Sequence, residues 1–209
     1  GIWVGGKGSL LVLEGSVVRD TKINPLSDSG NGALVVGGAR LTASECVFEG
    51  NDASGADVMG AGTTALFKHC VFRGGIDLSI LPGVPALVAD TGGGLEASDC
   101  LMEDFIGAGV MSLGAKSELV IKRSVVTGVL PSASEGVGFG ATASEGGRLE
   151  MERSILRGHT AAGVVAQDEG TEAVLTDTLV AGTLAWQEAA SGFGVEAIAG
   201  AALSLSGCV

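Results

Sequence analysis

Tyrosine is missing altogether from this 209-residue chain, and the other aromatics are scarce, at two tryptophans and six phenylalanines. Hydrophobic residues still make up 46% of it, supplied mostly by Ala, Val and Leu, so any core is built from small aliphatic side chains. Basic residues are also few, 12 against 24 acidic ones, for a formal net charge of −12. A surface of that sign repels phosphate backbones and anionic headgroups, which sets aside nucleic acid and acidic membranes as partners. No apolar run approaches the ~20 residues of a membrane-spanning helix. The opening GIWVGGKGS lacks the basic start and apolar stretch of a signal peptide. It also lacks an initiator methionine, and the chain reads as a section of a longer one.

Chemistry-bearing motifs are equally thin. Four cysteines and two histidines occur without a C-x-x-C or Cys–His spacing, so no metal site is expected. A complete P-loop and the G-x-S-x-G nucleophile turn are absent, and no cofactor is expected. Glycine, by contrast, is abundant at 36 residues. It follows no strict Gly-X-Y period, which excludes collagen, and the chain is too apolar for a disordered one.

What the sequence does contain is a repeat. LTASECVFEG begins at Leu41, and a close copy, ALFKHCVFRG, begins at Ala65. The same pattern starts at Leu11, Leu95, Leu119, Leu149, Ala173 and Leu203, and the steps between successive anchors are 30, 24, 30, 24, 30, 24 and 30 residues. Eight copies in strict alternation define a two-coil unit of 54 residues. Each copy alternates apolar and polar residues with the period of a strand, so that Leu41, Ala43, Cys46 and Phe48 face inward and the pair Ser44-Glu45 sits at an exposed corner. Upstream of each anchor lies another short strand, such as GALV from Gly32 or GVVA from Gly163.

Three short strands per coil, stacked about 4.8 Å apart, make a solenoid in which no coil can bury its apolar face alone. A leucine-rich repeat has a similar length, but it needs a fixed Asn or Cys and a helical return, whereas these return segments are Gly-rich and non-periodic. The expected fold is all-β, a single-stranded parallel β-helix of about eight coils over residues 1–209.

The coils GALVVGGARLTASECVFEGN and GAGVMSLGAKSELVIKRSVVTG resemble those of right-handed parallel β-helix repeat proteins. The resemblance implies the fold, and with the crossover rule its right-handedness. It implies little about activity, because pectin-degrading enzymes, phage tailspikes, adhesins and surface proteins all use such coils. The Gly-His-Gly and Arg-x-Lys strings of polygalacturonase-type enzymes are absent. Arg123 and Arg153, with Glu152 beside them, occupy equivalent corners in adjacent coils. They are a thin match to the Arg-plus-carboxylate set of a pectate lyase and read as an exposed ion-pair ladder. His69 and His159 lie nearly four turns apart and are expected to be solvated surface residues. No catalytic residue is assigned.

Two features remain. Cys46, Cys70 and Cys100 fall in one column of small residues with Ser16, Ser124, Ser154, Thr178 and Cys208. They are expected to be free, buried thiols; a Cys46–Cys70 or Cys70–Cys100 bridge is the alternative, although side chains in register point alike. The extra six residues of each 30-residue coil fall in one connection, giving four long loops on one edge. Their apolar residues Ile23, Ile76, Leu81, Leu130, Leu184 and Trp186 form a candidate ridge, either a layer covering an open face of the coil or a surface that docks a polysaccharide or another protein. Ile76, Leu130 and Leu184 are expected to turn inward, and Leu81 and Trp186 to be exposed. Further coils or partner chains are expected at both ends. The function expected is a non-enzymatic scaffold of a secreted or cell-surface protein, for adhesion or partner binding. The alternative is a carbohydrate-active lyase or hydrolase.

Overall fold

A computed structural model describes residues 1–23, 30–74, 83–132, 136–185 and 192–209. Its strands form three parallel sheets. Sheet A contains Ile2–Gly5, Ala33–Val36, Ala56–Met59, Leu87–Asp90, Ala108–Leu113, Gly138–Ser144, Ala161–Gln167 and Phe193–Ile198. Sheet B contains Leu10–Glu14, Arg40–Ser44, Thr64–Lys68, Gly94–Ser98, Glu118–Lys122, Arg148–Glu152, Glu172–Thr176 and Ala202–Ser206. Sheet C contains Val17–Arg19, Val47–Glu49, Val71–Arg73, Leu101–Glu103, Val125–Thr127, Ile155–Arg157 and Leu179–Ala181. Each strand pairs with its counterparts one coil away, and the chain winds A, B, C, A as a right-handed parallel β-helix.

The register follows the repeat residue for residue. Leu11 pairs with Leu41, Leu41 with Ala65, Ala65 with Leu95 and Leu95 with Leu119. Leu119 pairs with Leu149, Leu149 with Ala173 and Ala173 with Leu203. A slip of one residue would turn every apolar side chain outward, so the pattern itself fixes the pairing. Leu41, Ala43, Cys46 and Phe48 are buried as expected. Three of the buried phenylalanines pack together: Phe48 stacks on Phe72 with centroids 4.9 Å apart, and Phe67 meets both rings edge-on.

The corner between sheets B and C explains the column of small residues. Its outermost residue is left-handed in every coil where it is not glycine, as at Glu45 (φ 54°), Asp99 (φ 56°) and Arg153 (φ 48°). The next residue is the Ser, Cys or Thr, whose side chain donates back two positions: Ser124 Oγ to the Lys122 carbonyl at 2.7 Å, Cys100 Sγ to that of Ser98 at 3.2 Å. The same heteroatom accepts a backbone N–H from the preceding coil, so that Cys100 N–H donates to Ser124 Oγ at 3.0 Å and Ser124 N–H to Ser154 Oγ at 3.2 Å. Only a short side chain with a donor and an acceptor does both, and thiols substitute for hydroxyls here. All four cysteines are free.

Not every glycine pair is a left-handed turn. Gly37 and Gly38 are (φ 68° and 79°), but Gly74 and Gly93 are not. There a Cβ would collide with the carbonyls of Asp104 and Val58, so close approach of a neighbouring coil selects glycine.

Candidate functional site

Outward side chains form straight columns, because successive coils are in register. The arginines at the B–C corner belong to such a column. Arg123 makes a bidentate pair with Asp99 of the preceding coil, 2.8 and 2.7 Å, and Arg153 pairs with Glu152 beside it. The Arg123 guanidinium holds the Asp99 carboxyl below its usual range. These pairs are solvated and contribute little to stability. The ion-pair reading of Arg123 and Arg153 agrees with this geometry.

The long-loop edge departs from expectation. Leu130 and Leu184 were expected to cover the core, yet they are 54% and 61% exposed. Their backbones explain why. Leu130 N–H donates to the Phe105 carbonyl at 2.8 Å, and its own carbonyl accepts from Gly107 at 2.9 Å. Leu184 N–H donates to the His159 carbonyl at 2.7 Å, and its carbonyl accepts from Ala161 at 2.9 Å. Both residues thus form parallel bridges, to Ile106 and Thr160, and strand alternation turns their side chains out. Val129, next to Leu130, is only 1% exposed and fills the core position instead. Ile23 is half-buried, with its N–H on Asp52 Oδ2 at 3.1 Å. Ile76, Leu81 and Trp186 lie outside the described residues.

A groove of about 440 Å³ opens on the outer face of sheet A beside this edge, lined by Met111, Phe139, Thr142, Ser144, Gln167 and Pro85 among others. Gly107, which bonds the Leu130 carbonyl, also borders it. The named side chains are apolar or neutral and polar. A second, shallower depression of about 490 Å³ lies on sheet B, where Glu96 is paired with Lys122 at 3.2 Å.

One coil before the groove, sheet A carries two acids. Asp57 pairs in register with Val88, which places Asp90 two residues along the neighbouring strand on the same face. Burial, and then the charge of Asp90, push the Asp57 carboxyl up to about 7. Its Oδ1 is buried without a hydrogen-bond partner. The sequence reading passed over Asp57, although the repeat held a signal: 54 and 108 residues on, the equivalent positions are Met111 and Val165.

His159 is a second correction. It was expected in solvent, but it is fully buried and neither ring nitrogen has a hydrogen-bond partner. Burial pushes it down to about 4, against a smaller opposing effect of the Leu156 backbone carbonyl. The repeat again shows why, because 54 residues earlier stands Phe105 and 54 before that Asn51, both buried as well. His159 occupies a core position, whereas His69 is exposed at its corner as expected. Among the described residues no group of three or more His, Cys, Asp or Glu side chains could hold a metal ion, and no helix is long and apolar enough to cross a membrane.

No curated protein matches the sequence. Among solved structures the chain is similar to the catalytic unit of a thermostable GH87 alpha-1,3-glucanase from Streptomyces thermodiastaticus strain HF3-3, at 10% identity and a TM-score of 0.30, over 98% of this chain. It spans about half the length of that structure, 49%. The model of the right handed beta helix region matches residues 1–180, and the chain belongs to that family.

Proposed function

We propose that this β-helix is a non-enzymatic interaction scaffold of a secreted or cell-surface protein, which docks an elongated, uncharged partner along its long-loop edge. The observation that carries this reading is the pair Leu130 and Leu184. They stand at equivalent places in successive repeats, about 9.6 Å apart by the usual spacing of stacked strands, and hydrogen-bonded backbones hold both side chains out in water. Large apolar side chains displayed on fixed backbone beside a groove mark contact surfaces more often than idle ones. The groove's Thr142, Ser144 and Gln167 supply neutral hydrogen-bonding groups, and Met111 and Phe139 supply apolar area. That chemistry favours a neutral polysaccharide strand over an anionic one, which the net charge of −12 would repel. Further coils or a partner chain would cover the apolar residues at the two ends, such as Leu10 and Leu205, which are 62% and 50% exposed.

The test is retention by neutral amylose and cellulose against acidic polygalacturonate, with sedimentation velocity run in parallel. Wild type should bind a neutral polymer, and a Leu130→Ser/Leu184→Ser variant should lose that binding while staying folded. Equal retention of both proteins would defeat the reading, and concentration-dependent sedimentation lost in the variant would replace the sugar by a second copy of the chain.

A second reading, a carbohydrate-active enzyme, draws support from Asp57 and Asp90. Two carboxylates on one face, one kept protonated near neutral pH, can divide acid and base roles. Hydrolysis or cleavage of a polysaccharide that Asp57→Asn abolishes would favour it over the scaffold.

A further inference from the structure

The two halves of the exposed ridge rest on different core residues. Leu130 hangs from the Phe105 carbonyl and Leu184 from that of His159, through bonds of 2.8 and 2.7 Å. Phe105 and His159 are equivalent positions of the repeat, one ring apolar and the other titratable.

We infer that His159 is an acid-sensitive latch, which holds the Leu184 position of the ridge at neutral pH and releases it as the ring is protonated, while the Phe105-held Leu130 position stays closed.

The geometry makes protonation and docking exclusive. The ring is fully buried and neither nitrogen has a hydrogen-bond partner of good geometry, the Leu156 carbonyl giving only a partial, opposing effect. It lies against Gly140, where a Cβ would come within 2.7 Å of Nε2. Among the described residues of the strands packed around it, no acid is at hand to receive the new charge. The neighbouring strands Val125–Thr127, Gly138–Ser144, Ala161–Gln167 and Leu179–Ala181 carry no charged residue. The charged residue closest to it along the chain is Arg157, exposed and of the wrong sign. Burying an unpaired imidazolium costs more than leaving the site, so the protonated ring must swing into water. The segment that must open to let it out contains the His159 carbonyl and Thr160, which together hold Leu184.

Burial lowers the folded-state pKa from 6.5 to about 4. The closed state therefore loses ground as the pH falls from about 6.5 towards 4, a range that mildly acidic surroundings reach. The release is independent of what the ridge binds.

Amide hydrogen exchange read residue by residue tests the inference. From pH 7 to 4.5, protection of Leu184 and Ala161, corrected for the intrinsic rate, should fall by about 50- to 100-fold, as that pKa difference requires. Leu130 and Gly107 should change far less. His159→Asn is the control, since Asn51 fills the same position against Gly32 in the first repeat, where a Cβ would likewise come within 2.7 Å of the side-chain nitrogen. His159→Phe, which copies Phe105, is a second control if the asparagine variant folds poorly. In either one the selective loss at Leu184 should vanish. The latch is refuted if Leu184 and Leu130 lose protection in parallel, if neither does, or if the selective loss survives in the variants.

Discussion

The two connections on either side of sheet C solve the same problem in opposite ways. The B–C corner turns the chain in one left-handed residue and satisfies its polar groups from within, each Ser, Cys or Thr donating to its own coil and Cys100, Ser124, Ser154 and Thr178 accepting from the one before. The C–A connection is long in alternate coils, and it concentrates unsatisfied atoms. Thr21 Oγ1, Asn51 Nδ2 and both His159 nitrogens are buried without partners, and all stand at the fourth residue past the start of a sheet C strand. A fold with no tolerance at one corner spends its freedom at the other. Function in solenoids gathers where chain length varies, so the exposed ridge and the latch both fall on the permissive side.

The core that both connections enclose should give the largest effect. Phe48 is buried in the middle of a three-ring cluster. Phe48→Asp or Leu149→Asp should leave the chain unfolded by circular dichroism, because each strands a charge in the core. Phe48→Ala should cost about 3–5 kcal/mol in a urea titration. A native-like midpoint for either aspartate variant would remove the assigned register.

Next come the two titrating groups, whose signs oppose. Asp57 is raised from 3.8 to about 7, so its contribution is complete below pH 3.8 and disappears as the pH rises through 7. His159 is lowered from 6.5 to about 4, so the fold is intact on its account above 6.5 and weakened as the pH falls towards 4. At about 1.4 kcal/mol per pKa unit, each shift amounts to a few kcal/mol. Asp57→Asn should thus stabilise the protein by about 2–4 kcal/mol at pH 8 and little at pH 4, and His159→Asn should do the reverse. Urea midpoints at both values decide this, and a gain that does not depend on pH would mean that neither group carries its burial cost as charge.

The contrast between the connections also has a direct comparison. Ser124→Ala removes the acceptor for the buried Cys100 N–H and should cost about 1–3 kcal/mol. Thr21→Val removes a hydroxyl that already lacks a partner, and should be neutral within about 0.5 kcal/mol or mildly stabilising. Equal losses would show that the C–A side is as well satisfied as the B–C side.

Legibility in the sequence divides along the same line. The B–C corner and the strands around it repeat in every coil, and eight copies expose the inward positions of Leu41, Ala43, Cys46 and Phe48 as an alternation. The C–A positions repeat only every 54 residues, and at Asn51, Phe105 and His159 they conserve burial and not chemistry. A lone histidine in a Gly-rich loop looks solvated until it is set against the phenylalanine one repeat earlier. Asp57 was hidden similarly, at an outward strand position where a polar residue raises no question. Its half-buried setting, on the face where Val88, Thr142 and Val165 are buried, comes from the third dimension. The outward turn of Leu130 depended on which of two adjacent apolar residues took the inward place, and period alone does not choose between Val129 and Leu130.

That choice supplies the smallest predicted effect and a sharp discrimination. Val129 and Leu130 are adjacent, equally apolar, and 1% and 54% exposed. Val129→Ala removes buried methyl groups and should cost about 1–3 kcal/mol. Leu130→Ser exchanges one solvated side chain for another on a backbone held by its own hydrogen bonds, so it should change stability by less than about 0.5 kcal/mol. Leu184→Ser should behave in the same way. A covering layer predicts the opposite, that truncating Leu130 is as costly as truncating Val129, because it would open the core to water. Unfolding midpoints for the two single variants therefore separate a leucine that shields the solenoid from one that is displayed on it. If Leu130→Ser proves silent in stability, what keeps a leucine there must be sought in what it touches outside this chain.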